Sequence, residues 1–314
     1  MARRPFAWYA AVELPRPTAW FESGIPRTPV IPFITHALHP SLLRLIERIG
    51  TVRKLSAGEE IFRPCDPVDQ VTVVRKGITG RALGHDGNAI GLSIPGRFAS
   101  GNLNFFTGFP CFGRYFALIP SEIITAPKDL LIPVLRGSPE AALLFARQFE
   151  MAKLSDRLGF AILSSCSVEL RLAAFYYAWA ASYGHTVQDG AGDTWIRMPP
   201  PIQRHYIANV VNTSRLSIDR FLKQWKDKNL SKMVSEELWV QPSLLEPIHA
   251  WICDKKRFQP GFVRHPSSTL SGETRCGTRI RNRRLFPIDE ISNYGFDGNF
   301  AVCSRFFDSD RSIL

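Results

Sequence analysis

Apolar positions change period twice along the chain, and those changes divide it. Leu42, Leu43, Leu45, Ile46 and Ile49 repeat at helical spacing and predict a short amphipathic helix over Pro40–Ile49. From Thr51 to Val134 the pattern becomes short β-type runs split by glycine and proline, with strands expected at Val71–Val74, Thr79–Leu83 and Ala89–Ile94. The last two flank His85-Asp86-Gly87-Asn88, a hairpin signal because glycine readily takes positive φ; His85 reads as a turn residue. Many short strands with such turns predict a small barrel or jelly roll. Helical spacing then returns. Pro139–Leu163 reads as one long helix on which Leu144, Met151, Leu154, Leu158 and Ile162 form a stripe close to a heptad seam. A stripe of that length exceeds what one barrel face covers, so these five residues are the expected dimer interface.

Ser164–Ser167 interrupts the pattern, and an apolar helix follows over Val168–Tyr183. Trp195–Met198 reads as a strand, Ile202–Val211 and Ser214–Lys228 as two helices, Leu238–Val240 as a strand and Ser243–Cys253 as a last helix. The pair of helices carries the chemistry. Ile207, Ala208 and Val211 give the first an apolar face, and Asn212 tolerates a left-handed turn. Thr213 or Ser214 caps the second helix. Ile218, Phe221, Leu222 and Trp225 form its buried stripe, leaving Arg215, Leu216, Ser217, Asp219, Arg220 and Lys223 at or near its outer side. That arrangement fits a recognition helix in a major groove, where arginine meets guanine with two donors.

Charge supports this placement. The chain has 39 Lys and Arg against 28 Asp and Glu, a formal net charge of +11. Eight basic residues against two acidic fall within Arg197–Lys232, and 11 against six fall in Lys255–Leu314. A basic cluster on a short helical segment suits phosphate contact. Hydrophobic residues make up 45% of the chain, an ordinary share for a globular protein. No apolar run reaches membrane-spanning length, and Pro5–Leu14 is too short and broken for a leader, so the expected location is the cytoplasm. The six cysteines, at positions 65, 111, 166, 253, 276 and 303, form no CxxC pair and have no His at ligand spacing, so no metal site is expected. They read as reduced packing residues; Cys65 and Cys111 would be a redox pair only if the fold brings them close.

These pieces, in order, resemble the CRP/FNR family of bacterial transcription regulators from about Val52 to Trp251. Leu55–Phe62, Asp66–Val71 and Val74–Gly77 are similar to the opening strands of the family's sensor roll. Ile207 through Arg220, and on to Leu230, is similar to its helix-turn-helix and the start of a wing. The resemblance implies an α+β fold with an N-terminal β-roll (jelly roll) sensor, a long dimerisation helix and a C-terminal winged helix-turn-helix. The corresponding division is an arm at 1–40, the roll at 41–136, the dimerisation helix at 137–164, the DNA-binding part at 165–254 and a basic tail at 255–314. By resemblance Arg215 and Arg220 match two recognition arginines. Leu216 stands where many members carry a base-reading Glu, and Asp219 replaces a small residue. Homodimerisation, a pseudo-palindromic duplex operator and contact with RNA polymerase are the implied partnerships.

The expected effector site combines Gly101, Asn102, Leu103, Phe105, Phe112, Arg114 and Tyr115. Cyclic-nucleotide-binding members use a Gly-Glu-Leu loop and an Arg followed by a hydroxyl residue. Here Asn102 lacks the carboxylate, and Arg114 is displaced and followed by Tyr115. A non-nucleotide, aromatic small molecule is the better expectation, with a cyclic nucleotide as the alternative. No cofactor is specified, and no catalytic residues are expected. Two readings of other classes compete: a cupin-type metalloenzyme, disfavoured because His36, His39 and His85 are not arranged as clustered His and Glu ligands on strands, and a nonspecific nucleic-acid-binding protein acting through the tail.

Overall fold

The computed structural model describes residues 30–83, 91–100 and 104–253. The Asp86-Gly87 turn, most of the expected N-terminal arm and the basic tail lie outside the described residues. Helix α1 (Pro40–Ile49) buries Leu42, Leu45 and Ile46, the face its period predicts. Eight strands follow. The first four are β1 (Thr51–Leu55), β2 (Glu60–Phe62), β3 (Gln70–Lys76) and β4 (Thr79–Leu83). The others are β5 (Gly91–Ser93), β6 (Phe98–Ser100), β7 (Gly113–Ala117) and β8 (Ser121–Pro127). They form two antiparallel four-stranded sheets, ordered β1-β8-β3-β6 and β2-β7-β4-β5. Val71, Thr72, Val73 and Val74 are all buried, as befits a central strand covered on both faces.

The β texture ends sooner than the sequence pattern indicates. Residues 128–134 begin a helix, α2 (Lys128–Gly137), despite Pro133 inside it. The proline removes one backbone donor, but Leu131 and Leu135 are buried, and their burial outweighs that loss. Ser138 then caps the 27-residue helix α3 (Pro139–Ser165), its hydroxyl accepting from the Ala141 amide.

Between α3 and the β4–β5 edge runs the segment 30–38. Its backbone joins the sheet edge: the Thr35 amide donates to the Leu92 carbonyl at 2.9 Å and the Leu92 amide to the Phe33 carbonyl at 2.7 Å. Phe33 and Ile34 are fully buried, Phe33 with a left-handed φ of 63°. Gly159 of α3 permits this approach, since a Cβ there would lie 3.2 Å from the Phe33 ring. Ser155 of α3 is also buried, its hydroxyl 2.7 Å from the Ile31 carbonyl and 2.9 Å from the Ile34 carbonyl. Asp156, next along, pairs with Arg81 of β4. Leu158 and Ile162, expected on an intersubunit seam, are buried in the protomer's own core beside this segment. That corrects the expected interface. Of its other members, Leu144 and Met151 are half-buried and Leu154 is exposed, and Leu143 and Phe160 are more exposed still.

Helix α4 (Val168–Tyr183), capped by Ser167, is almost wholly buried. It leads to β9 (His185–Gln188) and β10 (Thr194–Met198), then α5 (Arg204–Val210) and α6 (Arg215–Asp227). A hairpin, β11 (Ser231–Val234) and β12 (Glu237–Val240), and helix α7 (Pro242–Cys253) complete the described chain. The four strands form one antiparallel sheet ordered β11-β12-β10-β9. Arg97, after β5, ties this part to the roll. Its guanidinium donates to the Thr35 carbonyl and, at 3.0 Å, to Ser182 Oγ of α4. Ser155→Ala should lower stability by about 1–3 kcal/mol, because carbonyls buried with this segment lose their side-chain donor. Urea denaturation of wild type and variant measures it, and equal midpoints would remove Ser155 from the joint.

Candidate nucleic-acid interface

The Val211–Ser214 turn sets the geometry of α5 and α6. Asn212 takes φ 49°, and the Thr213 amide returns to the Ala208 carbonyl at 2.9 Å, closing α5. Ser214 opens α6, its hydroxyl accepting from the Ser217 amide at 3.1 Å. Ile218 and Trp225 are buried, and the Trp225 indole N–H donates to Glu169 of α4 at 3.1 Å. Tyr176 of α4 meets the Trp225 ring edge-on at 5.5 Å. Two anchors thus fix the helix on its inner side and turn its other side outward.

Arg215, Leu216, Arg220 and Lys223 are exposed, Ser214 is exposed at the cap, and Thr213, Ser217 and Asp219 are half-buried. The structure brings all eight expected residues onto one turn and the helix that follows it. Leu216, at 79% exposure, is a large apolar side chain presented to solvent. Arg220 lies over the Phe221 ring, 5.0 Å from its centroid. Asp219 holds neither Arg220 nor open space: it pairs with Arg204 of α5, and the Arg215 Nε lies 3.9 Å from its other oxygen. Arg204 therefore belongs to this surface, and sequence reading left it among the general positive charge. A 15-residue separation between partners carries no period that would reveal the pair.

Other members of the basic cluster are engaged. Arg197 lies 3.5 Å from Glu237. Lys232 of β11 lies over the Trp195 ring at 3.8 Å and donates to Asp189 at 2.8 Å. Asp189 also accepts from the Trp195 indole and the Ala191 and Asp193 amides. The Lys232 ammonium, with these amides and the indole, pulls its carboxyl down to about 2. Arg215, Arg220, Lys223, Lys226 and Lys228 remain as an exposed basic face along α6.

Among the described residues, the expected effector residues lie in different surroundings. Gly101, Asn102 and Leu103 lie outside the described residues. Phe105 is buried among Phe106 and Phe145, whereas Phe112 is 74% exposed. Arg114 lies over the Phe116 ring at 4.3 Å, its Nε 3.9 Å from Glu60. Tyr115 is buried, which pushes its phenol up. It lines a cavity of only about 10 Å³ beside Thr35, Arg81, Ser93 and Asp156, room for a single water at most. A larger cleft of about 560 Å³, lined by Lys54, Lys76 and Pro120, contains none of these residues. Among the described residues no three His, Cys, Asp or Glu side chains group as metal ligands, and no helix is long and apolar enough to cross a membrane.

No family profile matches the chain. A global nitrogen regulator from Nostoc sp. is 22% identical over 193 residues, 60% of this chain and 84% of that protein. A CooA double mutant from Carboxydothermus hydrogenoformans superposes with TM-score 0.54 at 14% identity, covering 70% of this chain and 99% of that one. FixK2 from Bradyrhizobium japonicum gives 0.53 at 17%, covering 64% and 96%.

Asp189→Asn tests the anchor of the hairpin. A carboxyl held below its ordinary value contributes stability that is present above about pH 4 and lost as pH falls toward 2. The variant's melting temperature should therefore fall less steeply than wild type between pH 4 and 2, and parallel curves would refute the coupling. The likeness holds in three dimensions: the described chain has the fold that FixK2 and CooA share.

Proposed function

We propose that the protein is a CRP/FNR-type transcription regulator that binds duplex DNA as a homodimer, with α5 and α6 as the helix-turn-helix of a winged domain. The observation that carries this reading is the α6 surface: Arg215 and Arg220 exposed on a helix whose inner side is pinned by Ile218 and Trp225. A helix held this way fits a major groove, with its N-terminal residues at base edges and Lys223, Lys226 and Lys228 toward phosphates. Two such helices related by a two-fold axis read a pseudo-palindrome with half-sites about one helical turn apart. The remaining members of the seam, Leu144, Met151 and Leu154 on α3, with the exposed Leu143 beside them, support the dimer. RNA polymerase is the implied further partner, and no enzymatic activity is proposed.

Effector control belongs to the same proposal. With about 10 Å³ free beside Tyr115, an organic effector enters only by displacing the protein's own groups there. Phe98 lines this cavity and meets the rings of Phe145 and Phe149, and these rings favour an aromatic ligand. Arg114, engaged by Phe116 and Glu60, is a poor phosphate partner, which disfavours a cyclic nucleotide.

Arg220→Ala should weaken operator binding by about 1–3 kcal/mol and leave dimerisation unchanged. Fluorescence anisotropy on a selected operator measures the first and sedimentation the second; unchanged specific affinity would overturn the recognition-helix assignment. Asp219→Asn should release Arg204 and Arg215 toward phosphate. Binding to random duplex should then tighten, and the slope of log K against log salt should steepen by about 1. An unaltered slope would mean that Arg204 never faces the backbone.

A further inference from the structure

Two cysteines that are 46 residues apart in sequence are joined through their backbones, Cys65 after β2 and Cys111 before β7. Residues 63–66 form a tight turn: the Asp66 amide donates to the Arg63 carbonyl at 3.1 Å, and the Arg63 amide to the Asp66 carboxylate at 2.7 Å. Pro64 takes the second position and Cys65 the third, with φ 71°. This is the pattern of a type II turn, whose third position glycine fills without strain. Cys65 sits there instead, exposed. Directly across lies Cys111: the Cys65 amide donates to the Cys111 carbonyl at 2.8 Å, and the Cys111 amide to the Asp66 carbonyl at 2.7 Å. Cys65 is thus the extra residue of a β-bulge facing Cys111. Residues opposed in a regular antiparallel ladder have Cα atoms about 4.5–5.5 Å apart; the two backbone bonds hold Cys65 and Cys111 at a separation of that order, and a disulfide spans roughly 4.4–6.8 Å. Both residues carry thiols, and Cys111 is buried with its thiol donating to the Gly113 carbonyl at 2.9 Å.

We propose that Cys65 and Cys111 form a reversible dithiol–disulfide site that responds to peroxide. Their unequal exposure assigns the roles. The exposed Cys65 sulfur attacks one peroxide oxygen as its thiolate, the O–O bond breaks, and a sulfenic acid and one water result. The Cys111 sulfur then displaces the hydroxyl from Cys65, losing its proton, and a second water leaves as the S–S bond forms. In total two thiols give up two electrons and two protons, and one peroxide becomes two waters. Burial pushes the Cys111 thiol up, which suits a group that acts second and intramolecularly rather than on solvent oxidant. A small dithiol reverses the bond by exchange. The product would tie the 63–66 turn to the start of β7, the strand that carries Arg114 and Tyr115.

Peptide mapping of the full-length protein tests this independently of any DNA-binding role. Native protein treated with a few equivalents of hydrogen peroxide should yield one cross-linked peptide pair containing Cys65 and Cys111, 2 Da lighter than the two reduced peptides together. Dithiothreitol should restore both peptides. Cys65→Ser, a change at an exposed position, should abolish the pair while leaving the circular dichroism of the fold unchanged; Cys111→Ser should leave Cys65 as a trappable sulfenic acid. The proposal fails if wild-type Cys65 proceeds to a sulfinic acid, 32 Da heavier, while Cys111 stays a thiol. It fails equally if either cysteine links elsewhere or if neither reacts.

Discussion

The structure depends on the docking of residues 30–38 between the roll and α3. Three polar groups fix that joint. Ser155 serves the Ile31 and Ile34 carbonyls, Arg81 reaches both Thr35 and Asp156, and Arg97 reaches Thr35 and Ser182. Arg97 is the most demanding of these. It is fully buried, its bonds run to a carbonyl and a hydroxyl, and desolvation pulls its guanidinium down to about 10. It stays charged at neutral pH, and the dipoles of the Thr35 carbonyl and the Ser182 hydroxyl hold it. Such a charge costs several kcal/mol to desolvate, and imperfect geometry would leave that cost uncompensated. The roll, the segment and α4 are thereby held to one mutual arrangement.

The outer surface follows a different logic. On α6, ion pairing decides which positive charges remain available to a partner. Asp219 draws Arg204 inward and leans on Arg215, and Asp189 takes Lys232 out of the basic face to hold the β11–β12 hairpin. The face that remains is smaller than the sequence charge implies, and it is concentrated along one helix. A polyanion meeting it is met by a line of charge rather than a patch, and Leu216 stands in that line as its apolar member.

Much of the fold was legible in the sequence, because period and caps agree for long elements. Helices α3, α4 and α6 lie within about two residues of their expected limits, with Ser138, Ser167 and Ser214 as caps. Helix α2 was illegible because Pro133 reads as a breaker, and only the burial of Leu131 and Leu135 overrides it. Strands β9 and β11 are short and mixed in polarity, so pairing with β10 and β12 defines them more than their own pattern does. The apolar stripe of α3 was legible, but not what covers it: Leu158 and Ile162 are covered from within the chain, Leu143 and Leu154 are not. The outward side of α6 was legible from its period, whereas the pairing of Asp219 with Arg204 was not. Of the expected effector residues, Phe105 is buried and Phe112 exposed, a difference that closeness in sequence does not reveal.

The segment 30–38 has a further consequence in the order of synthesis. It leaves the ribosome before its partner does: the hydroxyl that donates to its carbonyls belongs to Ser155, 121 and 124 residues downstream of Ile34 and Ile31. At about 5–20 residues per second, roughly 6–25 s pass before Ser155 is even translated. During that interval Ile31, Phe33 and Ile34 have no helix α3 to bury them. The nascent chain thus carries an apolar stretch that stays unshielded until α3 has been made. Closure of the N-terminal half waits on the part of the gene that encodes α3.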